Sequence, residues 1–277
     1  MARTGLAALI VALFIGSAAA PGASAETGRR EPVAGPKPAA WNLLALGDSI
    51  PYGGVYCQGC TPYPTLYGRA ITAAGHPVVV RNAGIPGLRT VQLLANVRTR
   101  SDVRRWIAAA DIVTITIGHN DTPWNSRHDT CDGGRAFFGP YNDARWSVYA
   151  GPCLEVEAAR IKSGLGAILA EIRDLRGGRL TLVVVTTDYN QVIGKPGAPD
   201  KAPAASKVVL DRLAAVTCST AAAYRARCVN AYHAFNGLAG TRDAGAYLAI
   251  DHDHASQKGH ARIAALMGTL GLAPLRP

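Results

Sequence analysis

Ser49 stands in Gly47-Asp48-Ser49-Ile50, directly after the apolar run Leu43 to Leu46. A serine hydroxyl at a strand end, on a turn that glycine lets tighten, has the placement of a nucleophile. The same four residues also suit a plain exposed turn. Attack on an acyl carbon needs three further parts: a base, a group that orients the base, and donors for the oxyanion. The segment Asp251-His252-Asp253-His254-Ala255-Ser256-Gln257-Lys258-Gly259-His260 offers the first two. Asp251 precedes His254 by three residues, one turn of locally helical chain. Its carboxylate can then hold the imidazole in one tautomer and stabilise the imidazolium. His252 and His260 have no aspartate at that spacing. Two other readings fit the same residues. His252, His254 and both aspartates are ligand types for zinc, and a polar loop before a helix has the same composition.

Donors for an oxyanion come from two short blocks. Asn82-Ala83-Gly84 follows an apolar run, with Gly87 shortly after, and Gly84 can bring its backbone N–H close to a ligand because no side chain intervenes. In Gly118-His119-Asn120-Asp121, the amide of Asn120 is an uncharged donor. Each block also reads as an ordinary turn or cap. Asn120-Asp121-Thr122 matches a glycosylation sequon, but a sugar there would block the site, so we take the match as chance. The expected set is therefore Ser49, His254 and Asp251 as catalytic residues, and the Ser49 and Gly84 N–H groups with the Asn120 amide as the oxyanion hole. Asp48 and Asp121 are expected to hold the two loops. No metal or other cofactor is required.

These residues must be carried by elements that bring distant segments together. Five short apolar runs read as strands: Leu43 to Leu46, Val78 to Val80, Ile112 to Ile117, Leu180 to Thr186, and Cys228 to Val229. Between and after them, Tyr63 to Ala74, Thr90 to Ala110, Leu154 to Leu175, Ala204 to Tyr224 and Gln257 to Leu270 carry helical spacing. In Leu154 to Leu175 the residues Val156, Ile161, Leu165, Ile168, Leu169 and Ile172 recur as one buried face requires. Alternation of this kind predicts an α/β fold, a three-layer α/β/α sandwich on a five-stranded parallel sheet. The flavodoxin-like order 2-1-3-4-5 places strands 1 and 3 side by side. A crevice then opens beyond their carboxyl ends, where open α/β sheets bind ligands. Gly47-Asp48-Ser49 ends strand 1 and Gly118 to Asp121 ends strand 3, so both motifs converge there.

Joined in this order, the blocks resemble the SGNH hydrolases, also called GDSL esterases and lipases, over nearly all of Trp41 to Leu270. Gly47-Asp48-Ser49 is similar to the nucleophile block, Asn82-Ala83-Gly84 to the block whose glycine gives an oxyanion N–H, Gly118-His119-Asn120-Asp121 to the G-x-N-D block, and Asp251-His252-Asp253-His254 to the closing D-x-x-H. The cysteine pattern and the Tyr63-Pro64 stretch resemble the secreted bacterial branch. Many secreted relatives have Gly where this chain has His119, and Pro where it has Ala255. The resemblance implies lipase, carboxylesterase, phospholipase or carbohydrate deacetylase activity, with an acyl-enzyme on Ser49. Lipid or simple acyl esters are the expected substrates. The α/β-hydrolase fold fits less well, since Ser49 lacks a G-x-S-x-G elbow.

The first 25 residues read as an export signal. Arg3 is followed by an apolar stretch from Gly5 to Ala20, and Ala23-Ser24-Ala25 suits signal peptidase. The apolar stretch is shorter than the roughly 20 residues that span a bilayer. Residues 26–40 read as a disordered lead-in and 41–277 as one domain. The mature chain of 277 − 25 = 252 residues has a formal charge of +10 − 1 = +9. Such a surface suits transient contact with anionic lipid or cell-wall polymer. The densest basic run, Arg98, Arg100, Arg104 and Arg105, reads as a solvated helix face, and no nucleic-acid motif is present. A secreted, extracellular monomer acting on a small-molecule or lipid ester is expected. All six cysteines lie in the mature part, and an even number in an exported chain suggests three disulfides. Short loops favour Cys57 with Cys60, Cys131 with Cys153, and Cys218 with Cys228, although six cysteines allow 15 pairings. Gly194 to Pro203 reads as a surface loop. Aromatic residues between Thr122 and Pro152, namely Trp124, Phe137, Phe138, Tyr141, Trp146 and Tyr149, either line an acyl pocket or stack on sugars, or pack beneath a Cys131–Cys153 loop. Two other classes remain open: a metallohydrolase using the Asp251 to His254 cluster, and a secreted binding protein without catalysis.

Overall fold

A computed structural model of the chain describes residues 39–54, 56–125 and 143–275. Five strands form one all-parallel sheet: β1 (Trp41–Gly47), β2 (Val78–Gly84), β3 (Ile112–Thr116), β4 (Leu182–Thr186) and β5 (Arg227–Val229). Their order is β2-β1-β3-β4-β5, as expected. The described helices are α1 (Ser49–Tyr52), α2 (Tyr63–Ala73), α3 (Thr90–Thr99), α4 (Ser101–Ala109), α5 (Asp143–Tyr149), α6 (Pro152–Arg176), α7 (Ala202–Ala223), α8 (Ala231–Asn236) and α9 (Gln257–Thr269). Along β1, successive side chains point to opposite faces of the sheet. Leu43 and Ala45 pack with Tyr67 and Ile71 of α2, Phe235 of α8, and Ile263 and Met267 of α9. Leu44 and Leu46 pack with Leu93, Val97, Val103 and Ile107 of α3 and α4, and with Leu165, Ile168 and Ile172 of α6. Both faces of the sheet are thus covered, which is why the inner strands β1, β3 and β4 are mostly apolar and buried, while the edge strand β2 is only partly so.

Several boundaries differ from those read in the sequence. The helix expected over Thr90 to Ala110 is broken at Arg100, whose backbone is extended. Val97 and Val103 are six residues apart. At about 100° per residue they would face different ways on one helix. The break resets the phase, so both reach the core. In α6 the buried residues are Leu154, Ala158, Ile161, Leu165, Ile168, Leu169 and Ile172, while Val156 is exposed. Val156 lies two positions from Leu154 and from Ala158, on the opposite side of the helix. β4 begins at Leu182, and Leu180 is exposed. β2 runs four residues past Val80 and takes Asn82-Ala83-Gly84 into the sheet, with Gly84 paired to Gly47. α7 starts at Ala202, inside the expected Gly194 to Pro203 loop.

Cys57 is bonded to Cys60 and Cys218 to Cys228, two of the expected pairs. Cys131 lies outside the described residues, as do the export segment, most of the lead-in, Phe137, Phe138 and Tyr141. Among the described residues no helix is long and apolar enough to cross a membrane. Arg98 and Arg104 pair with Glu171 of α6 and Arg100 pairs with Asp102, so this basic run is a solvated face with its own counter-charges.

Candidate active site

The turn after β1 is built to present Ser49. Gly47 has φ 139°, and a Cβ there would lie 1.9 Å from the carbonyl oxygen of Thr116. Only glycine lets β1 approach β3 this closely before the chain turns. Asp48 then caps α1, its Oδ1 accepting the N–H of Ile50 at 2.9 Å. Ser49 is the first residue of α1 and is 6% exposed. Burial pushes the Asp48 carboxyl up to about 7, against the pull of His119 and the Ile50 N–H.

The other half comes from the connection into α9. Ala249 N–H donates to the His254 carbonyl, Ser256 N–H donates to Tyr247 O, and Leu248 pairs with Ala255, making a tight antiparallel loop. Within it, Asp251 Oδ1 accepts the N–H groups of Asp253 and His254 at 3.2 and 3.1 Å. His252 takes the left-handed conformation (φ 52°) and its side chain is exposed. Ser256 caps α9 through the Gly259 N–H. His254 is thereby fixed with Nδ1 2.6 Å from Asp251 Oδ2 and Nε2 2.9 Å from Ser49 Oγ. Donation from Nδ1–H to the carboxylate leaves the Nε2 lone pair facing the serine hydroxyl. A strand end and a loop 205 residues apart in sequence thus meet as hydroxyl, imidazole and carboxylate.

Asn120 follows β3 in a single turn of 3-10 helix over His119–Asp121. Its amide donates to Leu88 O at 3.1 Å and lines the same cavity as Ser49. Asp121 turns away from the cavity and ties this turn to α3, accepting from the N–H and hydroxyl of Thr90, both at 2.9 Å. Gly84 is not brought to the cavity, contrary to the expectation. It lies in β2 rather than after it, and its N–H donates to Asn82 Oδ1 at 3.1 Å. A Cβ on Gly84 would meet Tyr52 N at 2.7 Å and Asp48 O at 2.9 Å, so its role is the close packing of β2 under α1. The Asn82 amide also donates to Pro51 O, from the same side. Gly87, with φ 75° and open space where a Cβ would be, lines the cavity instead.

The cavity encloses about 950 Å³. Its walls include Tyr56, Pro86, Arg89, Gln92, Trp124, Asn125, Trp146, Gln191, Val192 and Lys195 to Pro199. The loop before α7 is therefore a cavity wall and more than a surface connection. Trp124 and Trp146 pack on each other with centroids 5.2 Å apart and are nearly buried, so they serve both as wall and as core. Tyr149 packs edge-on against Trp146 and does not reach the cavity.

Three residues matter here that the motifs did not single out. His119, the variable position of its block, is 3% exposed, with Nδ1 3.0 Å from Asp188 and Nε2 3.2 Å from Asp253. Tyr56, beside the Cys57–Cys60 disulfide, stacks on His254 with centroids 4.1 Å apart. Asp188 follows β4 beyond Thr186 and Thr187, where composition alone gave it no distinction. The tight spacing of Asp251, Asp253 and His254 would also suit a cation, since one ligand atom from each lies within 4.8 Å of the others. Both nitrogens of His254 are, however, already engaged, one by Asp251 and one by Ser49.

A model of the GDSL-like lipase/acylhydrolase family matches residues 45–262. Solved structures share the fold at low identity. A lipase from a goat rumen metagenome is 18% identical with a TM-score of 0.66, covering 86% of this chain and 100% of that one. An extracellular lipase from Streptomyces rimosus is 22% identical with a TM-score of 0.55, covering 83% and 99%. An acetylxylan esterase from Geobacillus stearothermophilus is 19% identical with a TM-score of 0.56, covering 87% and 99%. No curated protein matches the sequence.

Proposed function

The chain belongs to the GDSL-like lipase/acylhydrolase family, and we propose that it is a secreted serine ester hydrolase working through an acyl-enzyme on Ser49. The observation that carries this reading is the continuous relay from Ser49 Oγ through His254 to Asp251, with links of 2.9 and 2.6 Å. Ser49 Oγ attacks the ester carbonyl as His254 Nε2 takes its proton, and Asp251 stabilises the resulting imidazolium. The oxyanion is met by the Ser49 N–H, the Asn120 amide and, in place of Gly84, the N–H of Gly87. His254 then protonates the leaving alcohol, and water repeats the cycle on the acyl-enzyme. Export is supported by the two disulfides and by the leader composition of residues 1–25.

Lipid or simple acyl esters are the proposed substrates. A carbohydrate deacetylase is the second reading, favoured by the polar groups Arg89, Gln92, Asn125 and Lys195 in the cavity wall beside the aromatic Tyr56, Trp124 and Trp146. A panel of nitrophenyl esters of increasing acyl length, phospholipids and acetylated sugars, run on wild type and Ser49→Ala, separates the two. Turnover of acetylated sugars alone would replace the first reading with the second. No turnover on any ester would favour a binding protein.

A further inference from the structure

Behind the relay lies a second, buried one. Both nitrogens of His119 face carboxylate oxygens: Asp188 Oδ1 at 3.0 Å and Asp253 Oδ1 at 3.2 Å. Nδ1 shares a hydrogen bond with Asp188, while Nε2 lies at ion-pair distance from Asp253 without an aligned hydrogen bond, and two carboxylates against one buried ring favour the cation with its two N–H groups. Burial alone would push His119 down, but Asp188 and Asp253 outweigh it and hold it well above the usual histidine range. Asp253 is correspondingly held below the usual carboxylate range: burial pushes up, and the His119 cation wins. The other oxygen of Asp253, Oδ2, lies 3.7 Å from His254 Nδ1, too far for a good hydrogen bond but close enough for its charge to act. The rings of His119 and His254 are 6.1 Å apart.

We propose that His119, held as an imidazolium between Asp188 and Asp253, is a positioning residue that governs the proton on His254. It anchors Asp253 beside His254 without letting it displace Asp251, and its positive charge opposes a second positive charge on the base. The titratable and charged groups facing this pair come from several segments: Asp48 after β1, Tyr56 after α1, Asp188 and Tyr189 after β4, Lys195 from the loop before α7, Asp251 from the connection into α9 and His260 of α9 itself. Asp188, Asp251 and Asp253 supply the negative charge here, while burial pushes the Asp48 carboxyl up to about 7, and His119 is the buried cation that offsets them beside His254. The inference rests on the reading of His254 as the general base.

The test is the pH profile of kcat/KM on a short-chain nitrophenyl ester for wild type, His119→Gln, Asp253→Asn and the double variant, with melting temperatures alongside. Loss of the cation should move the acidic limb of His119→Gln upward by about half to one pH unit. Asp253→Asn should move it downward, and the double variant should lie close to wild type. A folded His119→Gln protein whose limb stays in place would overturn the proposal. If His119→Gln does not fold, an unmoved limb in Asp253→Asn does the same. Ring nitrogen NMR of Ser49→Ala gives a readout free of turnover. Both nitrogens of His119 should be protonated at pH 8, and a neutral ring there would refute the proposal. Persistent activity in Ser49→Ala would instead count against the proposed function and leave the NMR result standing.

Discussion

The side-chain amide of Asn120 is pinned to the carbonyl of Leu88 at 3.1 Å, so its free N–H edge is held in the cavity before any substrate arrives. Such preorganisation makes a donor effective, because nothing must reorient as the oxyanion forms. Removing one donor of this kind typically costs roughly 2.7–4 kcal/mol. Asn120→Ala is therefore expected to lower kcat about 10²–10³-fold. Its melting temperature should change little, since the Leu88 bond is a single contact. Steady-state kinetics with undiminished kcat would remove Asn120 from the oxyanion hole.

Gly84 and Gly87 should respond differently to alanine. A methyl at Gly84 would run into the backbone of Tyr52 and Asp48, so Gly84→Ala is expected to destabilise the protein strongly. At Gly87 there is room, and the cost is that of a left-handed alanine, about 1–2 kcal/mol. Denaturant unfolding of the two variants compares them directly. Equal losses would contradict the packing role assigned to Gly84.

Two buried groups give stability opposing slopes with pH. Asp48 has its pKa raised from 3.8 to about 7, chiefly by burial. Between those values the folded protein holds a proton that the unfolded chain releases, so this contribution falls as pH rises. His260 is lowered from 6.5 to about 4, by burial and then by His254. Between those values the unfolded chain binds a proton that the folded protein refuses, so this contribution is lost as pH falls through the window. Relative to wild type, Asp48→Asn should make the slope of stability against pH more positive between pH 4 and 7, and His260→Leu should make it more negative between pH 4 and 6.5. Urea midpoints across that range report both signs.

Much of this was legible beforehand because it rested on strong local signals. Leu43 to Leu46 and Ile112 to Ile117 are short, bounded, mostly apolar runs, and alternation with right-handed crossovers leaves few strand orders, of which 2-1-3-4-5 is the one observed. The meeting of Ser49, Asp251 and His254 was legible only from the blocks taken together, since each alone suits a turn or polar loop, while their order along the chain and the Asp251/His254 spacing have a chemical reason. Gly84 was misplaced because Asn82 and Ala83 lack strand propensity, while pairing with β1 carries β2 on to Gly84 regardless. The sequence marked His119 only as a departure from the glycine of many secreted relatives, and Asp188 not at all. Their significance lies in a contact across 69 residues, which only the packed loops create.

Chelation should have no effect. His254 offers no free nitrogen to a cation in this arrangement, so overnight treatment with a strong chelator is expected to leave ester turnover unchanged. Loss of activity restored by zinc would favour the metallohydrolase.

The proposed mechanism requires that Ser49 form the covalent intermediate. Incubation with a phosphonylating reagent, followed by peptide mass spectrometry, tests it directly. The adduct is expected on the peptide that carries Ser49, with activity lost in proportion to labelling, and neither labelling nor turnover is expected in Ser49→Ala. A label on another residue, or full turnover by Ser49→Ala, would contradict it.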